Sequence, residues 1–408
     1  MKILAQKTSS GAGNSAAPAR FRRLRKARIV AMRSILLLLF ALGFFLSVIP
    51  WGRAVMRSTL LIPAMLTASQ PAPLLWSGEP IKHSQLTVPS LDGSVDLDLY
   101  APATSTPLVS PVRGGILVIS GVGDNRQVPQ LINLFEGLAH SGMVVMNMTA
   151  PMLVQYDLSL NDVDAAVQSF KALSRLPALV GKHIGIISFS AGVPFACFAA
   201  ADPRIRDDVA YVTAFGGYFN TKTLLRTFGR RAQDIDGRTV PWHPIDIPIQ
   251  VLGNVSAHNF SPDEASTLRS ALAPNSAPLT ANDLARLSPG AQATYRLLTG
   301  RAPEQVDADI AALPPSMQNQ LEELSPSRVV GQIHAPIFLL HDIADPSLPV
   351  TETRAFAAAL TRLQHPHQYL ELHIFDHVEV RTDLNIWPLL GDGMALFKLL
   401  NDMLALNS

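Results

Sequence analysis

The chain has 408 residues, of which 48 % are apolar and 16 % charged, a composition that excludes a disordered polymer and leaves room for a large core. Lys+Arg of 33 against Asp+Glu of 32 gives a net charge of +1, so no overall field points to nucleic acid. The single cysteine, Cys197, excludes an intramolecular disulfide framework and a cysteine zinc site.

Residues 1–33 form a basic tail, from Lys2 to Arg33, with no acidic residue. Residues 34–51, SILLLLFALGFFLSVIPW, then carry no charge at all. At about 1.5 Å per residue such a run makes roughly 27 Å of helix, close to the hydrocarbon thickness of a bilayer. The expectation is an uncleaved, single-pass transmembrane signal anchor with the folded part on the non-cytoplasmic side. A buried core helix and a cleaved signal peptide ending near Ala68 are the alternatives. Residues 52–84, with the Pro-rich ASQPAPLLWSGEP, read as a juxtamembrane linker.

From residue 85 to 216 short apolar runs alternate with helical stretches, the pattern of an α/β sheet. LTVPSLDGSVDLDLY predicts two antiparallel strands turning at Asp92-Gly93. GGILVIS, GMVVMNMTA, HIGIIS and VAYVTAF predict strands covered on both faces, because they lack strict alternation. Helices are predicted over VPQLINLFEGLAH, from Asp162 to Arg175, with Ser159 and Asp162 as a capping box, and from Ala191 to Ala201. Cys197, among Phe195, Phe198 and Ala199, reads as a small buried apolar residue. Residues 217–333 lose the strand-helix alternation and predict a helical cap inserted after the sixth strand. Residues 334–408 resume it with APIFLLH, TETRAFAAALTRL, YLELHIF and a final amphipathic helix.

The join of HIGIIS and its helix reads Ser188, Phe189, Ser190, Ala191, Gly192. A sharp strand-to-helix turn flanked by small residues exposes a serine hydroxyl above the sheet, where a base can take its proton. The helix beginning there aims its N-terminal amides at the same point, which suits developing negative charge. Ser190 is the candidate nucleophile and Ser188 a spacer.

This S-x-S-x-G resembles the G-x-S-x-G elbow of the alpha/beta-hydrolase superfamily, and the resemblance extends from about residue 86 to 408. APIFLLHDIADPSLPV is similar to the family's acid-bearing segment, with Asp345 as the acid and Asp342 where glycine is usual. LELHIFDHVEV is similar to its last strand and histidine loop, with His377 as the base. SGVGDNR stands for the oxyanion loop, so the backbone N–H groups of Val122 and Ala191 are expected to hold the oxyanion. Its GVG is no dinucleotide fingerprint, because the third glycine falls at Arg126. His341 is expected to support the acid loop, and His373 to be a packed or surface histidine.

The resemblance implies an alpha/beta-hydrolase fold: a mostly parallel sheet, helices on both faces and a helical cap. It implies a serine hydrolase working through an acyl-enzyme, acting on a small-molecule or lipid-like carboxylic ester. Amide, thioester and lactone substrates use the same apparatus. No cofactor and no metal is implied, and no H-E-x-x-H spacing occurs. Nothing identifies a protein partner. The departures at Ser120, Ser188 and Asp342 motivate the rival reading, a tethered, inactive binding protein with the same scaffold.

Overall fold

The computed structural model of the chain describes residues 32–44, 80–103, 112–381 and 386–406. The chain divides into one unit of residues 1–56 and a second of residues 57–408. In the first, residues 32–44 are helical and exposed. Among the described residues no helix is long and apolar enough to cross a membrane. The transmembrane helix expected over 34–51 is thus unsupported here, and its second part, 45–51, lies outside the described residues, as does the linker up to 79.

In the second unit, β1 (Ile81–Ser90) and β2 (Gly93–Pro102) pair antiparallel across Leu91 and Asp92, with Gly93 at φ +110° as the Asp-Gly turn predicts. The fold then alternates through β3 (Gly114–Ile119), α1 (Pro129–His140), β4 (Met143–Thr149), α2 (Asp162–Ser174), β5 (His183–Phe189), α3 (Gly192–Ala201) and β6 (Val209–Phe215). After the cap come β9 (Ile337–Asp342), a long helix at Val350–Arg362, β10 (His367–Leu372) and a last helix at Ile386–Ala405. These strands make one eight-stranded sheet in the order β1-β2-β4-β3-β5-β6-β9-β10. The pairings of β3 with β4 and β5, and of β5, β6, β9 and β10 in turn, are parallel. That single order reversal, the antiparallel opening pair and the elbow after β5 make this an alpha/beta-hydrolase fold.

Both faces of the sheet are covered, which explains the unbroken apolar runs. On one face Leu134, Phe135 and Leu138 of α1 pack with Leu396, Leu399 and Met403 of the last helix against Tyr211 and Phe338. On the other, Phe170 of α2, Phe195 of α3, and Phe356 and Leu360 of the helix after β9 join a core continuous with the cap. Cys197 is fully buried in that core, as expected.

The cap, between β6 and β9, holds α4 (Thr221–Arg230), a hairpin of β7 (Ala232–Ile235) and β8 (Arg238–Pro241), α5 (Asp246–Ala257), α6 (Pro262–Ala271), α7 (Pro289–Thr299), α8 (Val306–Ala312) and α9 (Pro315–Glu323). The two helices after β9 are accordingly α10 and α11. The hairpin is not expected in a cap predicted to be helical. Glu352 at the start of α10 fastens the base of the cap: its carboxylate is buried and accepts from the N–H groups of Phe219 (3.0 Å) and Asn220 (2.8 Å) and the hydroxyl of Thr223 (2.6 Å).

One expected local feature fails. Ser159 and Asp162 form no capping box, because Asn161 occupies the N-cap position and makes no side-chain cap bond. Asp162 is instead fully buried, and neither of its carboxylate oxygens has a hydrogen-bond partner. Burial, reinforced by the Asp92 and Asp157 carboxylates, pushes its pKa up to about 7.

Candidate active site

Ser190 occupies the turn between β5 and α3 at φ +51°, a left-handed conformation costly for a non-glycine residue and concentrated at functional sites. Two contacts explain why the chain accepts it. The Ser190 N–H donates to Phe215 O of β6 at 2.8 Å. Gly192 lets α3 start against the end of β3, since a Cβ there would lie 2.3 Å from Ile119 O and 2.6 Å from Ser120 O. Ser188 fills the first small position; it is fully buried and its hydroxyl donates to Thr213 O at 2.8 Å. It is a spacer, as expected.

His377 lies at the tip of a tight hairpin whose arms, β11 (Phe375–Asp376) and β12 (Glu379–Val380), pair Asp376 with Glu379. Its φ of +63° fits the first position of a two-residue hairpin turn. Its Nδ1 is 2.6 Å from Asp345 Oδ2. With the proton on Nδ1 donated to Asp345, Nε2 is left as the acceptor that a general base requires. Gly216, at φ +62°, makes the space beneath the imidazole, because a Cβ there would sit 3.2 Å from its Cε1 and Nδ1.

Asp345 is 1 % exposed. Its Oδ1 accepts from the N–H groups of Ser347 (2.7 Å) and Leu348 (3.0 Å), which fixes the carboxylate plane and turns Oδ2 to His377. Burial works against its charge, but His377 and His341 outweigh it and hold the carboxyl well below the usual range. His341 is fully buried, with Nε2 3.0 Å from Leu348 O and 3.3 Å from Asp345 Oδ2, and Nδ1 2.6 Å from Thr353 Oγ1. It supports the acid loop as expected. His373 is exposed and lies near Asp392, at 3.5 Å. Its expected place within the last strand shifts slightly, since β10 ends at Leu372.

Asp342 does more than its expected place as a bystander. It is fully buried, and its oxygens accept from the N–H of Ala344 (2.9 Å) and of Phe375 (2.8 Å). It therefore ties the loop carrying Asp345 to the strand end two residues before His377, although burial pushes its own pKa upward. Asp342→Asn keeps one acceptor for two N–H groups, and a buried donor left unpaired costs about 1–3 kcal/mol. The expected result is a kcat about tenfold lower, KM nearly unchanged, checked by steady-state kinetics on folded variant; this is about 1.4 kcal/mol of lost alignment.

The cap reaches the same loop from the other side: Trp242 Nε1 donates to Asp345 O at 2.9 Å, and Ile245 N–H to Pro346 O at 2.9 Å. Sequence reasoning missed Trp242, whose role depends on a partner 103 residues away.

Val122 and Ala191 flank Ser190, and neither backbone N–H has an acceptor among the described residues. The loop between β3 and α1 is held by Asn125, whose side-chain amide donates to Gly121 O (2.8 Å), Val122 O (3.2 Å) and Gly123 O (3.2 Å). Ser120 is buried and donates to Asn147 Oδ1 at 3.1 Å, anchoring the loop to β4. These two unpaired N–H groups can receive an oxyanion.

Ser190 and His377 line one cavity of about 360 Å³, with Gly121 and Val122 in the same wall. No hydrogen bond joins Ser190 to His377 in this structure. Among the described residues no group of three or more His, Cys, Asp or Glu side chains could hold a metal ion.

No protein-family model and no curated protein matches the chain. Among solved structures it is similar to the acylaminoacyl peptidase of Pyrococcus horikoshii, with 13 % identity over 74 % of this chain and 38 % of that one at a TM-score of 0.43. It is also similar to dipeptidyl peptidase 4 of Porphyromonas gingivalis, with 13 % identity over 79 % and 36 % at 0.46. A puromycin-hydrolyzing peptidase of Mycobacterium tuberculosis gives 15 % identity over 79 % and 38 % at 0.45. The chain spans less than two-fifths of the length of each.

Proposed function

We propose that this chain, with its alpha/beta-hydrolase fold, is a serine hydrolase that cleaves carboxylic esters through an acyl-enzyme. The observation that carries the reading is His377, 2.6 Å from the buried Asp345 and lining the same cavity as a serine in the strained elbow conformation. Ser190 Oγ attacks the acyl carbon as His377 Nε2 takes its proton. The Val122 and Ala191 amides receive the oxyanion, and Asp345 stabilises the imidazolium. His377 then gives the proton to the departing alcohol, and water resolves the acyl-enzyme by the same steps in reverse. An inactive scaffold would have no need of a buried carboxylate held against the base by two backbone N–H groups. The test is hydrolysis of p-nitrophenyl esters together with covalent labelling by a fluorophosphonate. A purified, folded chain that neither labels nor hydrolyses any ester would favour the binding-protein reading.

We also propose that residues 34–51 anchor the chain in a bilayer, supported by their uncharged sequence after a basic tail. The full chain is expected to sediment with membranes and resist high-salt extraction, while a chain beginning at Pro80, one residue before β1, is expected to be soluble and active. A mature N-terminus at residue 69 would mean cleavage instead.

A further inference from the structure

Two cavities meet at Ser190. The larger is a cleft of about 360 Å³ whose walls include His377, Asn125 and Gln130. The other is a recess of about 40 Å³ beneath the cap, with Ser190 and the oxyanion residues Val122 and Ala191 at its mouth. Its remaining walls include Leu224 of α4, Val251 and Leu252 of α5, and Leu348 beside the acid loop. Ile247 and Pro248 of α5 line both cavities and form the ridge between them.

Resting on the serine-hydrolase reading above, we propose that this recess is the acyl site and that the enzyme prefers short, unbranched, apolar acyl groups, of about four carbons or fewer. The assignment follows from where the proton must go. His377 has to protonate the leaving group, so the leaving group must lie on its side, and His377 lines the cleft and not the recess. With the carbonyl oxygen at the Val122 and Ala191 amides, the acyl substituent is directed into the recess. Space for one water takes about 10–15 Å³ on this measure, so the recess has room for about three such groups beyond the carbonyl carbon. Three residues of its wall, Leu224, Val251 and Leu252, are themselves buried in the core. Apart from Ser190, its one polar side chain offers nothing to a polar acyl group, because the Tyr218 hydroxyl already donates to Leu324 O at 3.1 Å. At about 40 Å³ the recess is too small for a long fatty acyl chain, which turns the substrate away from long-chain lipid esters even in a chain held at a membrane.

The experiment is kcat/KM for p-nitrophenyl esters from acetate to dodecanoate, with the wild type, Leu252→Ala and Val251→Ala. The wild type is expected to peak at acetate to butyrate and to fall at least tenfold by octanoate. Each truncation is expected to lengthen the preferred chain by one to three carbons, and the second variant serves if the first does not fold. Octanoate hydrolysed as well as butyrate by the wild type would overturn the proposal, as would an unchanged chain-length preference in both folded variants. Failure of the underlying reading looks different: no ester of any length is turned over, no fluorophosphonate adduct forms, and the acyl-site proposal falls with it.

Discussion

Ser190→Ala is expected to lower ester turnover by several orders of magnitude, to the level left by binding and the oxyanion N–H groups alone, because triad members act as a unit. Ser188→Ala, two residues away, is expected to remain active. Its hydroxyl is buried and donates to Thr213 O at 2.8 Å, so the change removes one neutral hydrogen bond worth about 1 kcal/mol and leaves a residue small enough for the turn. Turnover and thermal melting of both purified variants separate the roles. Loss of activity in a well-folded Ser188→Ala, or retention in Ser190→Ala, would reverse the assignment.

Asp345→Asn is expected to cost on the order of 10⁴ in kcat. The size follows from the two ends of the carboxylate. Oδ1 accepts from the N–H groups of Ser347 and Leu348, so an asparagine must place its oxygen there to avoid setting an NH₂ against two donors. Its NH₂ then faces His377 Nδ1, which has to accept, and the imidazole proton moves to Nε2. Histidine in that tautomer cannot take a proton from Ser190. Substrate binding is untouched, so KM should change little while kcat falls. Because Asp345 is held well below the usual carboxylate range, its ionisation should not set the acid limb of the wild-type pH–rate profile. Near-normal kcat in folded Asp345→Asn would remove this residue from the triad.

Features set by local chemistry were legible in the sequence. Apolar runs marked the strands, and S-x-S-x-G marked the elbow because a sharp strand-to-helix turn demands small residues on either side of its serine wherever it packs. Asp345 and His377 were found by family order, and the structure brings them to 2.6 Å. Features set by distant partners were not legible. Asp342 looked like a misplaced glycine until Phe375, 33 residues on, supplied the N–H it accepts. Glu352 and Trp242 are ordinary in their own segments and acquire roles only from loops 133 and 103 residues away. The β7–β8 hairpin did carry a signal: Asp236-Gly237, the turn dipeptide that gave away β1 and β2, stands between its strands with both residues at positive φ. Asp162 shows the opposite error. A sequence pattern proposed a cap, and burial took the carboxylate out of reach of the backbone it was to serve.

The central claim is that Ser190 is an activated nucleophile, and mapping the fluorophosphonate adduct by peptide mass spectrometry tests it most directly. The account predicts one adduct, on Ser190, forming far more slowly in His377→Ala and absent from Ser190→Ala. An adduct on another residue, or labelling of Ser190 at an undiminished rate without His377, would contradict it.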